Sequence, residues 1–177
     1  RSPEAERQFA QVNAEAAELL RAQTHLSHGE LREAENIYLR HGQDARALVG
    51  LVDVAVARAQ PHLALERQEA VLADHASARE LLRKAELLDT AGRSKEAGEL
   101  CLQVGGDASN PLEVRRRAYR LATHLLQDFA DPDRVADAAG KWLAVEPDAH
   151  DAHWVRAWAR ARAGRFQEAL AGLNEAD

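Results

Sequence analysis

Three segments of the chain read alike: His28-Gly29-Glu30-Leu31-Arg32-Glu33-Ala34, Ala91-Gly92-Arg93-Ser94-Lys95-Glu96-Ala97 and Ala163-Gly164-Arg165-Phe166-Gln167-Glu168-Ala169. Each sets a Gly, four residues and then an Ala. Such a segment joins two helices: the Gly ends the first in a left-handed conformation that costs it little, and the small Ala lets the second approach its neighbour closely. Two weaker joints, Ala59 to Ala64 and Ala130 to Val135, replace the Gly by Ala and open the second helix at Pro61 or Pro132. With positions 34, 64, 97, 135 and 169 taken as equivalent, the spacings are 30, 33, 38 and 34. A period near 34 restricts the chain to stacked two-helix units before any motif is considered.

Composition agrees with this restriction. Ala (37), Leu (23), Arg (20), Glu (17) and Lys (3) make up over half of the 177 residues, whereas strand formers are scarce: 11 Val, 1 Ile, 3 Thr and 8 aromatics. A substantial β-sheet is excluded. Stop signals mark out ten apolar-periodic segments. The first opens at Ser2-Pro3-Glu4 and runs to His28; the second spans Leu31 to His41, the third Asp44 to Ala59, the fourth Pro61 to Asp74. The fifth is Ser77 to Ala91 and the sixth Ser94 to Val104, before Gly105-Gly106. Asn110-Pro111 caps the seventh, Asp131-Pro132 caps the eighth, Pro147-Asp148 starts the ninth, and Gly164 precedes the tenth. Short connections predict antiparallel hairpins, in one domain over 1–177 with no linker.

The pattern resembles the tetratricopeptide repeat, a 34-residue helical hairpin with a small residue at position 8, Gly at 15, Ala at 20, large residues at 4, 11 and 24, and often Pro at 32. Ala22, Ala85 and Ala157 fall at position 8, Leu48, Leu81 and Tyr119 at 4, Ala55, Leu88 and Leu126 at 11, Tyr38 and Cys101 at 24, and Pro147 at 32. Glu18 and His153 stand where the family is apolar, and the interval from 97 to 135 carries extra residues, placed between Gly105 and Asn110. The resemblance implies an all-α fold, a right-handed α-solenoid of about ten helices in five repeats. HEAT-like or other helix-pair solenoids are the alternative architecture.

Chemistry is sparse. No Gly-x-Ser-x-Gly elbow and no phosphate-cradling Gly-rich loop occurs. Cys101 reads as a core thiol, because position 24 faces the partner helix. His25/His28 and His150/His153 each place two imidazoles near one another on a helix, too few for zinc without further ligands. No enzyme activity, cofactor or metal is therefore expected. A net charge of −6 disfavours nucleic acid as a partner, and no apolar run is long enough to insert in a membrane. The chain starts at Arg1 and holds no Met, so it reads as a soluble piece, cytoplasmic or periplasmic, of a larger bacterial protein, with its oligomeric state open.

Tetratricopeptide arrays bind extended peptides or helices on the concave face of their first helices, and the resemblance carries that role to particular residues here. They are Gln23 and Asp53 in the first two repeats, Glu86 in the third, Arg117, Arg120 and His124 in the fourth, and Trp154, Trp158 and Arg162 in the fifth. Arg115, Arg116, Arg117 and Arg120 form a basic cluster, read first as a solvated face. Trp154 and Trp158, four residues apart, form one ridge that either meets a partner or packs against repeat 4 or a helix missing from this fragment. The expected function is a protein-interaction scaffold binding a peptide or protein; the alternative is a recruiting or regulatory arm of a larger enzyme or secretion machine.

Overall fold

The computed structural model describes residues 3–174, so the expected Ser2 cap lies outside the described residues. Ten helices follow in chain order: α1 (Pro3–Ser27), α2 (Leu31–Arg40), α3 (Ala45–Ala57), α4 (Pro61–Asp74), α5 (Ala78–Thr90), α6 (Ser94–Gly106), α7 (Leu112–Leu126), α8 (Pro132–Val145), α9 (His150–Arg162) and α10 (Phe166–Asn174). No strand occurs among the described residues.

The joints take the geometry that their residues dictate. Gly29, Gly92 and Gly164 all adopt φ 77°, and Ala59 takes the same role at φ 55°. At each, the amide after the left-handed residue reaches back across the last turn: Glu30 to the His25 carbonyl (2.9 Å), Gln60 to Ala55 (3.0 Å), Arg93 to Leu88 (2.8 Å) and Arg165 to Arg160 (2.9 Å). These bonds satisfy helix-end carbonyls that would otherwise lack partners. Caps set several starts. The Asp44, Ser77 and Asp131 side chains accept from the amides of Arg46, Glu80 and Asp133, and Pro61 and Pro132 begin α4 and α8.

Three boundaries differ from the sequence reading. Helix α6 continues through Gly105 to Gly106, because the ring of Tyr119 lies over Gly105, where a Cβ would sit 3.0 Å from it; the missing side chain makes room for the ring. Asn110 does not cap α7 but donates from Nδ2 to the Val104 carbonyl (2.9 Å), closing the end of α6. Pro147 and Asp148 precede α9, which begins at His150.

Contacts divide the chain into two compact units, residues 1–76 and 77–177. In the first, α1 to α4 form two hairpins around Leu19, Ala22, Ile37, Tyr38, Leu51 and Val54. Gly50 belongs to this packing: a Cβ there would lie 2.3 Å from Tyr38 Cζ. Glu35 of α2 binds Arg58 at the C-cap of α3 (2.6 Å) and Arg67 of α4 (2.6 Å), and Arg67 also donates to the Leu51 carbonyl (2.7 Å). These hydrogen bonds, led by that from Arg67, hold the Glu35 carboxyl below the usual glutamate range.

In the second unit, α5 to α10 form three hairpins. One apolar cluster joins Leu126 and Val135 to Val155 and Ala159; another joins Tyr119 to Trp142, Leu143 and Ala152. The equivalent positions behave alike in every hairpin. Ala34, Ala64, Ala97 and Val135 are fully buried and Ala169 nearly so, as are Ala22, Ala85 and Ala157 at position 8. The register is therefore uniform, including the first and fifth repeats. Cys101 is buried, and burial pushes its thiol up to about 12, which keeps it protonated and unreactive near neutral pH. No helix of the described residues is long and apolar enough to cross a membrane.

Candidate functional site

The residues expected to meet a partner fall into two groups, one in each unit. In the first unit, Gln23 of α1 and Asp53 of α3 line a cleft of about 630 Å³ whose walls are otherwise mostly apolar, with Leu19, Leu20, Leu26 and Val49 among them. Leu20 is 65% exposed at its edge. Asp53 faces Tyr38 closely enough to add to the burial that raises the Tyr38 hydroxyl above its ordinary pKa.

In the second unit, Glu86 of α5 and Arg117, Arg120 and His124 of α7 line one cleft of about 550 Å³, together with Glu113, Arg116, Leu121 and Glu146. The helical spacing of 117, 120 and 124 puts these side chains on one face of α7. None of the four clustered arginines is a bare solvated charge. Arg117 pairs with Glu86, Arg120 lies 3.9 Å from Glu146, Arg116 donates from Nε to the Val145 carbonyl (3.3 Å), and Arg115 donates to the Gly105 carbonyl (2.9 Å). Arg117 and Arg120 nevertheless keep side chains 64% and 63% exposed, so both stay accessible to an incoming carboxylate.

Sequence reasoning missed Trp142 of α8 and Glu146 at its C-cap, which support this cleft. Trp142 is buried, its indole N–H donates to Glu146 (2.7 Å), and the Arg120 guanidinium stands 5.7 Å from its ring centre. The i,i+4 spacing of Trp142 and Glu146 was a visible signal, but only the fold brings Arg120 onto it.

On α9, Trp154 and Trp158 stack with ring centres 6.3 Å apart and planes 16° from parallel. Arg162 lies over Trp158 at 5.0 Å, extending the ridge by a cation–π contact. The two indoles differ in burial. Trp154 is 56% exposed; its ring stacks on Trp158, rather than turning inward to Tyr119 and His153. Trp158 is half-buried and packs against the cluster of Leu126, Val135 and Val155. His153 donates from Nε2 to the Pro147 carbonyl (3.0 Å), and His25 binds Glu30. Both imidazoles are thus held by neighbours, and no group of three or more metal-ligating side chains forms among the described residues.

No family model and no curated protein matches the chain. Solved structures do. MamA superposes with a TM-score of 0.72 at 15% identity, over 92% of this chain and 89% of that one. MamA AMB-1 gives 0.70 at 17% identity over 92% and 90%. YrrB, described as a TPR protein with an unusual peptide-binding site, gives 0.68 at 19% identity over 96% and 89%. The chain has the tetratricopeptide-repeat fold. In tetratricopeptide terms, α1, α3, α5, α7 and α9 are the first helices of five repeats, and the residues that the sequence singled out as candidates for partner binding all lie on them.

Proposed function

We infer that this chain is a non-enzymatic protein-interaction scaffold, and that the α7 and α9 surfaces of its second unit hold an extended peptide carrying a carboxylate and an aromatic or proline side chain. The observation that carries this reading is the exposed Trp154–Trp158–Arg162 ridge in the same unit as a cleft lined by accessible arginines. A stacked indole offers a large, rigid apolar surface at little entropic cost, and an arginine already held in place reaches a carboxylate with less freedom to lose. YrrB, of the same fold, has a peptide-binding site, which supports the class of partner. Gln23 and Asp53 belong to the separate, mostly apolar cleft of the first unit, which would take the apolar side chains of the same kind of ligand.

The test is titration of the purified chain with a panel of fluorescent peptides that vary acidic and aromatic content, read by anisotropy and tryptophan emission. Saturable binding of acidic-aromatic peptides, weakened at least ~tenfold by Arg120→Ala or Trp154→Ala, supports the reading. Binding indifferent to both substitutions would discard it. A recruiting arm of a larger enzyme or export machine would use the same face.

A further inference from the structure

Three arginines and three glutamates line the cleft along α7: Arg116, Arg117 and Arg120 against Glu86, Glu113 and Glu146. Their formal charges cancel, so the pull on a ligand carboxylate is local and depends on how each arginine is already engaged. The three differ in this respect. Arg116 is turned to the end of α8, where its Nε donates to the Val145 carbonyl (3.3 Å), with Glu113 4.0 Å away. Arg120 lies against the Trp142 ring. The carboxylate beside it, Glu146 at 3.9 Å, is beyond hydrogen-bond distance and already accepts the Trp142 indole N–H (2.7 Å). The Arg120 guanidinium is thus oriented and keeps donors for a further acceptor. Arg117 instead donates to the carboxylate of Glu86, which reaches it from α5.

Arg117 can be reached from solvent, but a carboxylate is already on it. A ligand acid arriving there replaces one that the chain supplies itself, and Glu86, tethered to the same fold, gives up only side-chain freedom to make the pair. Once displaced, Glu86 remains in the cleft as a like charge beside the newcomer, so the exchange gains little. At Arg120 no such exchange is needed. The two arginines stand at i and i+3 on α7, with Cβ atoms about 5–6 Å apart. In an extended peptide, side chains two residues apart share a side at a spacing of about 6.5–7 Å. A segment with acids at alternate positions therefore matches both arginines, and Glu86 occupies the place that its second acid would take.

We propose that Glu86 is a specificity-determining residue of this cleft: it holds the place of a second ligand carboxylate on Arg117, directs the carboxylate of an acidic peptide to Arg120, and makes the cleft indifferent to a further acid two residues away. The inference rests on the reading of the α7 surface as a peptide site, and it gives Glu86 the role of an internal competitor instead of a partner contact. Specificity of this kind comes from an element that opposes the unwanted ligand, not from an added attraction to the chosen one.

Anisotropy titrations of the 177-residue chain test this with three fluorescent peptides that share an aromatic residue and differ only in carrying Asp-x-Asp, Asp-x-Asn or Asn-x-Asp. The intact chain should bind Asp-x-Asp within about twofold of the better of the other two. Glu86→Gln keeps the shape and a neutral hydrogen-bond acceptor; it should tighten Asp-x-Asp by about three- to fivefold, the range of an exposed ion pair, with less effect on the singly acidic peptides. Adding Arg117→Ala should cancel that gain, and Glu113→Gln, which removes the same charge from the lining of the cleft, should produce none. A preference of the intact chain for Asp-x-Asp beyond about fivefold, no gain in Glu86→Gln, a gain that survives Arg117→Ala, or an equal gain in Glu113→Gln each overturns the proposal and leaves the peptide site in place. Failure of all three peptides to bind either the intact chain or Glu86→Gln overturns the peptide site together with the proposal. Matching melting curves of the variants exclude altered folding as the cause.

Discussion

Ala59 occupies the one joint where a left-handed conformation is forced on a residue with a Cβ. At φ 55° its side chain crowds the backbone, a cost of about 1–2 kcal/mol that glycine escapes, partly offset by the extra freedom glycine has when unfolded. Ala59→Gly should therefore stabilise the chain by about 0.5–1 kcal/mol, and Gly92→Ala at φ 77° should destabilise it; chemical denaturation measures both, and a loss of stability in the first would disprove the strain. The tryptophans divide in the same way by local environment. Trp154→Ala removes a ring that is mostly in water and should cost under about 1 kcal/mol. Trp158→Ala opens a gap beside Leu126, Val135 and Val155 and should cost about 1–3 kcal/mol, less than a fully buried ring. Equal melting temperatures for the two variants would show that both rings are held only by each other.

Helix pairs depend on small residues and on a few buried charges. Ala97 is fully buried and Ala169 is 7% exposed, so Leu at either overpacks the joint at a cost of about 1–3 kcal/mol. Leu at the exposed Ala171 should change stability by less than about 0.5 kcal/mol. Glu35 ties α2 to α3 and α4 through Arg58 and Arg67. Its carboxyl titrates lower in the folded chain than the ordinary value near 4.3, so the unfolded chain binds the proton more readily. The stability it contributes is present above that value and is lost as the pH falls through the lower folded value. Glu35→Gln should flatten this acid limb of the melting temperature against pH while lowering stability at pH 7. A variant that keeps the full acid dependence would move the origin to other carboxylates.

Across the whole molecule, charge is mixed: the chain is net acidic, at −6, yet the cleft along α7 gathers Arg116, Arg117 and Arg120. Attraction of an acidic peptide to that cleft acts through water and is screened, with a Debye length of about 10 Å at 0.1 M salt and about 3 Å at 1 M. Affinity for acidic peptides should fall steadily over that range, whereas affinity for a neutral aromatic peptide resting on Trp154 should hold or rise. Titrations at both salt concentrations separate the two contributions, and salt-independent binding of the acidic peptides would place them away from the arginines.

The period, the ten helices, the left-handed joints and the buried alanines were all legible in the sequence, because each is a local property: an apolar face repeats every turn or so, a Gly permits positive φ, and a small residue admits a close neighbour wherever the helix happens to pack. The reach of α6 to Gly106 was not, since it depends on a tyrosine arriving from α7 to fill the space over Gly105. The same holds for the charges. Arg117 meets Glu86 and Arg134 meets Glu99, 31 and 35 residues away, and a long flexible side chain has no preference for such a partner until two helices have been set side by side. Nor could periodicity tell that Trp154 stays in water while its equivalent Leu19 is buried, for both occupy the same place in the repeat, and burial there depends on which side chains the tertiary structure brings against it.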